Sequence, residues 1–310
     1  MKVSIIGGGS VGLLFAGYLA RDFQTTLYVR RNEQFQAVKE NGIQIQMNDE
    51  TFISRPRVAY SHEPWSGDLL IFAVKQPELM DMMASINKKA KADQSLLFIQ
   101  NGMGHIDGLK HLHHHHIFLG VVEHGAKKSS DNHVAHNGAG RTQIAAFRGD
   151  FKIIHDLLCL PQFPFKTHTD WKEMLTKKLV VNAVINPLTA LYRAENGQLI
   201  NNPYYCKTMK QVFQETADIL FSKKRCFSSP PHSKAKYWEA LISICQNTSK
   251  NRSSMLQDLD ACRKTEIEAI SGYLIKEAER LGKPCPLTRW LYNSILGIEH
   301  EYLKKEGFDD

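Results

Sequence analysis

The chain runs an apolar segment, Val3–Ile6, straight into Gly7-Gly8-Gly9-Ser10-Val11-Gly12. From there Val11, Leu14, Phe15, Tyr18 and Leu19 recur at helical spacing. This is G-x-G-x-x-G between a strand and a helix, and each glycine has a separate task. The first makes the tight turn, the second lets the backbone approach a pyrophosphate, and the third lets helix and strand pack closely. The free amides and dipole of the helix start then hold the phosphates. By itself the pattern is weak; in strand–turn–helix order it becomes specific. Gly7, Gly8, Gly9, Ser10, Val11 and Gly12 are therefore candidate dinucleotide contacts, against the plainer reading of a glycine-rich turn.

Further apolar runs at Thr25–Val29, Leu69–Val74, Ser95–Gln100, Ile117–Val122 and Thr142–Ala146 alternate with helical patterns. Such alternation argues a parallel sheet covered on both faces. From about Asp150 long helical patterns take over, at Trp171–Leu191, Tyr204–Phe221, Lys234–Cys245 and Thr265–Leu281, with a turn at Ser228-Ser229-Pro230-Pro231. The expected fold class is an α/β Rossmann-type doubly wound sheet over 1–167, followed by an all-α C-terminal domain over 168–310.

With 43% hydrophobic residues in 310, two ordinary domains can build their own cores. No run approaches the roughly 20 apolar residues of a membrane helix, and the short N-terminal run reads as a buried strand rather than a signal peptide. The six cysteines form no Cys-x-x-Cys pair, so no zinc site or disulfide framework is indicated and a reduced cytoplasmic protein is expected. The net charge of +7 is spread out without a basic block, which argues against nucleic acid and suits anionic small ligands. His111 and His113–His116 form a histidine run with no acidic or cysteine ligand beside it. It reads as a solvated, functionally neutral loop, and no metal is expected.

The end of the second strand selects the dinucleotide. An NAD enzyme carries an acid there for the ribose 2′-hydroxyl; here Arg30 and Arg31 follow Val29. A guanidinium grips a 2′-phosphate that a carboxylate would repel, so NADP(H) is the expected cofactor. Two arginines solvating a strand end would look the same. Lys75 and Asn101 follow two other strands, where open α/β sheets place ligands; both residues would also serve as helix caps.

In the helical half, Lys178, Asn182 and Asn186 fall at i, i+4 and i+8 on one stripe through apolar territory. Buried amides need partners. An ammonium with two amides in a cleft would polarise and protonate a carbonyl; a polar interhelical network is the alternative. Pro187 is expected to end or kink that helix. Ser254-x-x-Gln257 and Thr265-x-x-Glu268 both look like capping boxes. A break near Arg263–Thr265 would let Ser254 and Glu266 face one cleft; a single straight helix would hold them roughly 18 Å apart.

Together, Gly7-x-Gly9-x-x-Gly12, Val74-Lys75-Gln76, Gln100-Asn101-Gly102, Asn182…Asn186-Pro-Leu-Thr-Ala-Leu, and Ser253-Ser254-Met-Leu-Gln-Asp with Thr265-Glu266-Ile267 resemble the ketopantoate reductase family across nearly the whole chain. The resemblance implies an active site between the two domains and reduction of 2-dehydropantoate to D-pantoate by NADPH, for pantothenate and coenzyme A synthesis. It implies Lys178 as general acid with Glu266 beside it, the latter also near the cofactor. Asn182 and Asn186 would orient substrate and lysine, and Asn101 would meet both cofactor and substrate. Asn196, Asn251 and Ser254 match substrate-contacting positions; Arg30 (or Arg31, by a one-residue gap) and Lys75 match those selecting NADP(H). A reductase of another small 2-keto acid, or a non-catalytic dinucleotide sensor, stays open on this reading, as does assembly into a homodimer.

Overall fold

The computed structural model describes residues 1–222 and 234–305. The expected turn at Ser228–Pro231 lies outside the described residues. By contacts the chain divides into two compact units: Met1–Gln100 with His105–Met174, and Asn101–Gly104 with Leu175–Asp310.

The first unit holds twelve strands: β1 (Lys2–Ile6), β2 (Gln24–Val29), β3 (Ile43–Met47), β4 (Glu50–Ser54), β5 (Arg57–Tyr60), β6 (Leu69–Phe72), β7 (Ser95–Phe98), β8 (Ile117–Val122), β9 (Gly125–Lys128), β10 (His133–Gly138), β11 (Thr142–Arg148) and β12 (Phe165–His168). Eight form one sheet in the order β12-β11-β8-β7-β6-β1-β2-β5. Its centre is parallel, with β1 flanked by β2 and β6, and β11 runs antiparallel to β8. The strand order reverses direction about β1, which places the glycine loop at the switch point where such sheets bind ligands. The expected Rossmann-type sheet is thus present.

A second sheet, β4-β3-β10-β9, was not anticipated. Its strands are short and mostly polar, and they read as loop in the sequence. Their effect is visible on the helix Ser10–Leu19, where every residue from Gly12 to Leu19 is buried. A helix covered on one side keeps a polar face; this one has none because the second sheet covers its other side. A Cβ on Gly17 would lie 2.5 Å from Ile45 Cδ1 of β3, so helix and strand cross in close contact there. Phe15, Tyr18, Phe163 and Phe165 pack around the helix, with Tyr18 stacked on Phe163 at 4.8 Å between ring centroids.

The histidine run departs from expectation. His111, His113 and His115 are exposed, but His114 is buried and the segment is tied down by Arg148, which donates to the carbonyls of Leu112 and His114 at 3.0 Å. Only alternate members of the run are solvated.

The second unit is helical. Its main helices are Trp171–Tyr192, whose first turn belongs to the first unit, Pro203–Leu220, Lys234–Asn247, Tyr273–Leu281 and Pro286–Lys305. Pro187 does not end the first of these, which continues to Tyr192. Proline removes one amide donor; the burial of Leu188, Thr189 and Ala190 carries the helix past it. Thr189 Oγ1 also donates back to Ile185 O at 2.8 Å, within the same helix. The last helix begins on a cap from another helix: Glu215 accepts from the amides of Leu287 and Thr288 and from the Thr288 hydroxyl. Among the described residues no helix is long and apolar enough to cross a membrane.

Candidate active site

In the first unit, Gly7 adopts φ +114°, a conformation that favours glycine, and its amide donates to Tyr28 O at 3.0 Å. A Cβ on Gly12 would sit 1.9 Å from Gly7 O, so helix and turn touch backbone to backbone. Gly9 differs, for a Cβ there would meet no atom within 4 Å. Gly9 is also the N-cap of the helix Ser10–Leu19, without a side-chain cap and with no acid in the first turn. An open approach, uncapped amides and a first turn without an acid fit a pyrophosphate.

Gly8 is held from the side by Gln34, a buried residue whose Nε2 donates to Gly8 O at 2.8 Å and to Asp131 O at 2.9 Å. Arg31 pairs with Asp131, as does Lys128 at 2.9 Å, while exposed Arg30 lies 3.8 Å from Glu78. Burial pushes the Asp131 carboxyl upward, but the Lys128 ammonium and Arg31 guanidinium outweigh it and hold the group below the usual range. Lys75 is exposed just before the helix Gln76–Lys89.

In the second unit three segments distant in sequence meet. Asn182 Nδ2 lies 3.3 Å from Asn101 Oδ1, and Asn101 Nδ2 donates to Glu266 Oε2 at 2.7 Å. Asn101 is placed by Gly102, at φ +80°, where a Cβ would be 2.2 Å from Ala269 O. Lys178 is half-buried one turn before Asn182, and Asn186, also buried, follows one turn later. The helix does break before Glu266. The segment Ser254–Asp260 ends, and helix resumes as a π-turn over Glu268–Gly272, a form found often at functional sites. The residues flanking Glu266 are fixed: Thr265 N donates to buried Glu299 at 2.8 Å, and Ile267 N to Thr265 Oγ1 at 3.1 Å.

Asn196 and Asn251 are also neighbours, with Asn196 N donating to Asn251 O at 3.0 Å and Asn196 Nδ2 to Thr248 Oγ1 at 2.9 Å. Asn196 Oδ1 is buried with no hydrogen-bond donor. The capping box at 254–257 is displaced by one residue. Ser253 is the cap, accepting from Leu256 N at 3.2 Å and lying 2.8 Å from Thr189 Oγ1, whereas Ser254 is exposed at the first helical position. With two adjacent serines, the side chain that finds a buried partner takes the cap. Gln34, Thr248, Lys128 and Asp131 were missed. A glutamine on an otherwise apolar helix face was the one signal for Gln34; the others depend on chain reversals without a sequence signature.

The chain is similar to known proteins over nearly its whole length. Residues 3–149 match the family model "Ketopantoate reductase PanE/ApbA", and residues 170–299 match "Ketopantoate reductase PanE/ApbA C terminal". The chain is 41% identical to the 2-dehydropantoate 2-reductase of Bacillus subtilis strain 168, over 96% of this chain and 98% of that protein. It is 34% identical to the 2-dehydropantoate 2-reductase of Listeria monocytogenes, over 97% of this chain and 98% of that one. A crystal structure of the "Probable 2-dehydropantoate 2-reductase panE" of Bacillus subtilis superposes with a TM-score of 0.85 at 40% identity, covering 96% of this chain and all of that one. The chain belongs to the ketopantoate reductase family.

Proposed function

We propose that this protein is an NADPH-dependent 2-dehydropantoate 2-reductase, with Lys178 as general acid. The observation that carries the reading is the chain Asn182–Asn101–Glu266, built from residues far apart in sequence and set one helical turn from Lys178. Full-length similarity to reductases of that name supports it.

When bound, the nicotinamide supplies the hydride to the C2 carbonyl carbon. Negative charge then develops on the carbonyl oxygen, where a positioned ammonium both stabilises it and gives up a proton. Lys178 performs this step. Glu266, with its carboxylate held by Asn101, biases the nearby charge toward the cationic lysine, and the Asn182 and Asn186 amides orient the carbonyl. Asn196 offers a carbonyl oxygen without a donor, a fit for the substrate hydroxyl; Asn251, whose carbonyl accepts from the Asn196 amide, and Ser254 complete that end of the substrate site. Gly7–Gly12 receive the pyrophosphate. Arg31, Arg30 and Lys75 supply positive charge for the 2′-phosphate.

The test is oxidation of NADPH followed with 2-dehydropantoate, repeated with NADH and with 2-ketoisovalerate. Turnover is expected to be fastest with NADPH and 2-dehydropantoate. No dehydropantoate-dependent oxidation of either dinucleotide would remove the assignment. Faster reduction of 2-ketoisovalerate would move it to another 2-keto acid.

A further inference from the structure

The turn between β9 and β10 takes no part in any motif described above, yet it reaches the glycine loop. Lys128, the last residue of β9, places its ammonium 2.9 Å from Asp131 Oδ1 and 3.4 Å from Gly8 O. Arg31 NH2 pairs with the same oxygen, Asp131 Oδ1. Two cations from separate elements, one at the end of β2 and one from the second sheet, thus converge on a single anionic oxygen beside the loop. Gln34 fixes the frame by bonding both Gly8 O and the backbone carbonyl of Asp131. The cluster is partly solvated, Lys128 and Asp131 each retaining about a quarter of their side-chain exposure, so a ligand can reach it.

Two cationic heads on one oxygen is how a protein receives a phosphoryl oxygen. A carboxylate oxygen at that point does the same work while the ligand is away, since adjacent like charges would otherwise repel and splay. We propose that Lys128 is a specificity-determining residue that pairs with Arg31 to bind the 2′-phosphate of NADPH, and that Asp131 is the internal counter-ion the phosphate replaces. This rests on the NADPH reading above. It also separates the two arginines. Arg31 belongs to an assembled anion site, whereas Arg30 is the more exposed of the two and lies 3.8 Å from Glu78, itself half-exposed. The phosphate carries close to two negative charges at neutral pH against the single charge of Asp131, so exchange favours the ligand.

Binding of NADPH and of NADH is measured by titration of intrinsic fluorescence, and kcat/KM is measured for each, in the wild type, Lys128→Ala, Lys128→Arg and Asp131→Asn. Lys128→Ala is expected to lower the NADPH-to-NADH ratio of kcat/KM about tenfold, the scale of one charge-assisted contact at a partly solvated site. Lys128→Arg is expected to recover most of the ratio. Asp131→Asn keeps an oxygen for Arg31 and Lys128 but removes the competing charge, so it should tighten NADPH binding severalfold more than NADH binding. Adenosine 2′,5′-bisphosphate should compete with NADPH more weakly in Lys128→Ala than in the wild type, whereas competition by 5′-AMP should be the same in both. Equal losses for NADPH and NADH in Lys128→Ala would mean a structural role and would overturn the inference. So would an unchanged ratio in a wild type that favours NADPH. A wild type that does not favour NADPH would remove the dinucleotide reading first, and this inference with it.

Discussion

On the reading proposed above, Lys178 is the residue on which the chemistry turns. It sits half-buried on the stripe that carries Asn182 and Asn186, and partial burial keeps an ammonium close to its partners while water still reaches it. Replacing Lys178 with alanine is expected to lower kcat by roughly 10²–10⁴-fold, the usual scale for loss of a general acid. Steady-state kinetics at saturating NADPH would check this, and near-normal turnover would exclude the role. The stripe itself was legible because helical periodicity is local. The bond from Asn101 to Glu266 was not, since the two residues are 165 positions apart and no pattern in the chain reports their meeting. Ser253 and Ser254 teach the same lesson at shorter range. Both suit a cap by type, and only the neighbouring Thr189 hydroxyl and the burial of Ser253 decide between them.

At the scale of elements, the glycine turn and the helix Ser10–Leu19 form one device, and the second and third glycines of the motif respond differently to an added side chain. Gly12→Val would press a side chain into the Gly7 carbonyl, and backbone cannot yield as a flexible side chain can. That variant is expected to lose several kcal/mol of stability, seen as a large drop in thermal midpoint or failure to fold. Gly9→Ala meets nothing in the protein and lies at φ −72°, which alanine adopts readily. It is expected to fold with a nearly unchanged midpoint yet bind NADPH at least tenfold more weakly, because its methyl fills the phosphate approach. Equal affinity in Gly9→Ala, measured by titration, would mean that the pyrophosphate does not pass there. The buried face of this helix was readable in the sequence, but the sheet β4-β3-β10-β9 that explains its lack of a polar face was not. Strands of four to six residues with polar alternation look like loops until pairing across distant segments supplies their hydrogen bonds.

Across the whole molecule, buried neutral histidines make stability depend on pH. His105 is fully enclosed, with Nδ1 3.0 Å from Gln76 Nε2, and burial pushes its pKa down to about 4. His124 is lowered to about 4 by burial and by the adjacent His136, which burial also lowers. Tyr18, His136 and His124 form one hydrogen-bonded chain, at 2.9 and 3.1 Å. An unfolded histidine titrates near 6.5, so between about pH 6.5 and 4 the unfolded state binds more protons than the folded state. The stabilisation is therefore complete above pH 6.5 and is lost as pH falls toward 4. Chemical denaturation is expected to give an unfolding free energy a few kcal/mol lower at pH 4.5 than at pH 7.5, with a smaller difference in His105→Gln. An equal slope in that variant would exclude His105 as a contributor. The same histidines mark what each source of information could decide. The amino-acid sequence alone determined the parallel sheet, the glycine turn, the helical second half and the lysine–asparagine stripe, because periodicity and turn chemistry are written over a few consecutive residues. Only the tertiary structure decided which polar groups meet — Asn101 with Glu266, Asn196 with Asn251, Lys128 with Asp131 and Arg31. Those pairings follow from where distant segments cross, and burial is a property of the packed chain rather than of any stretch of it.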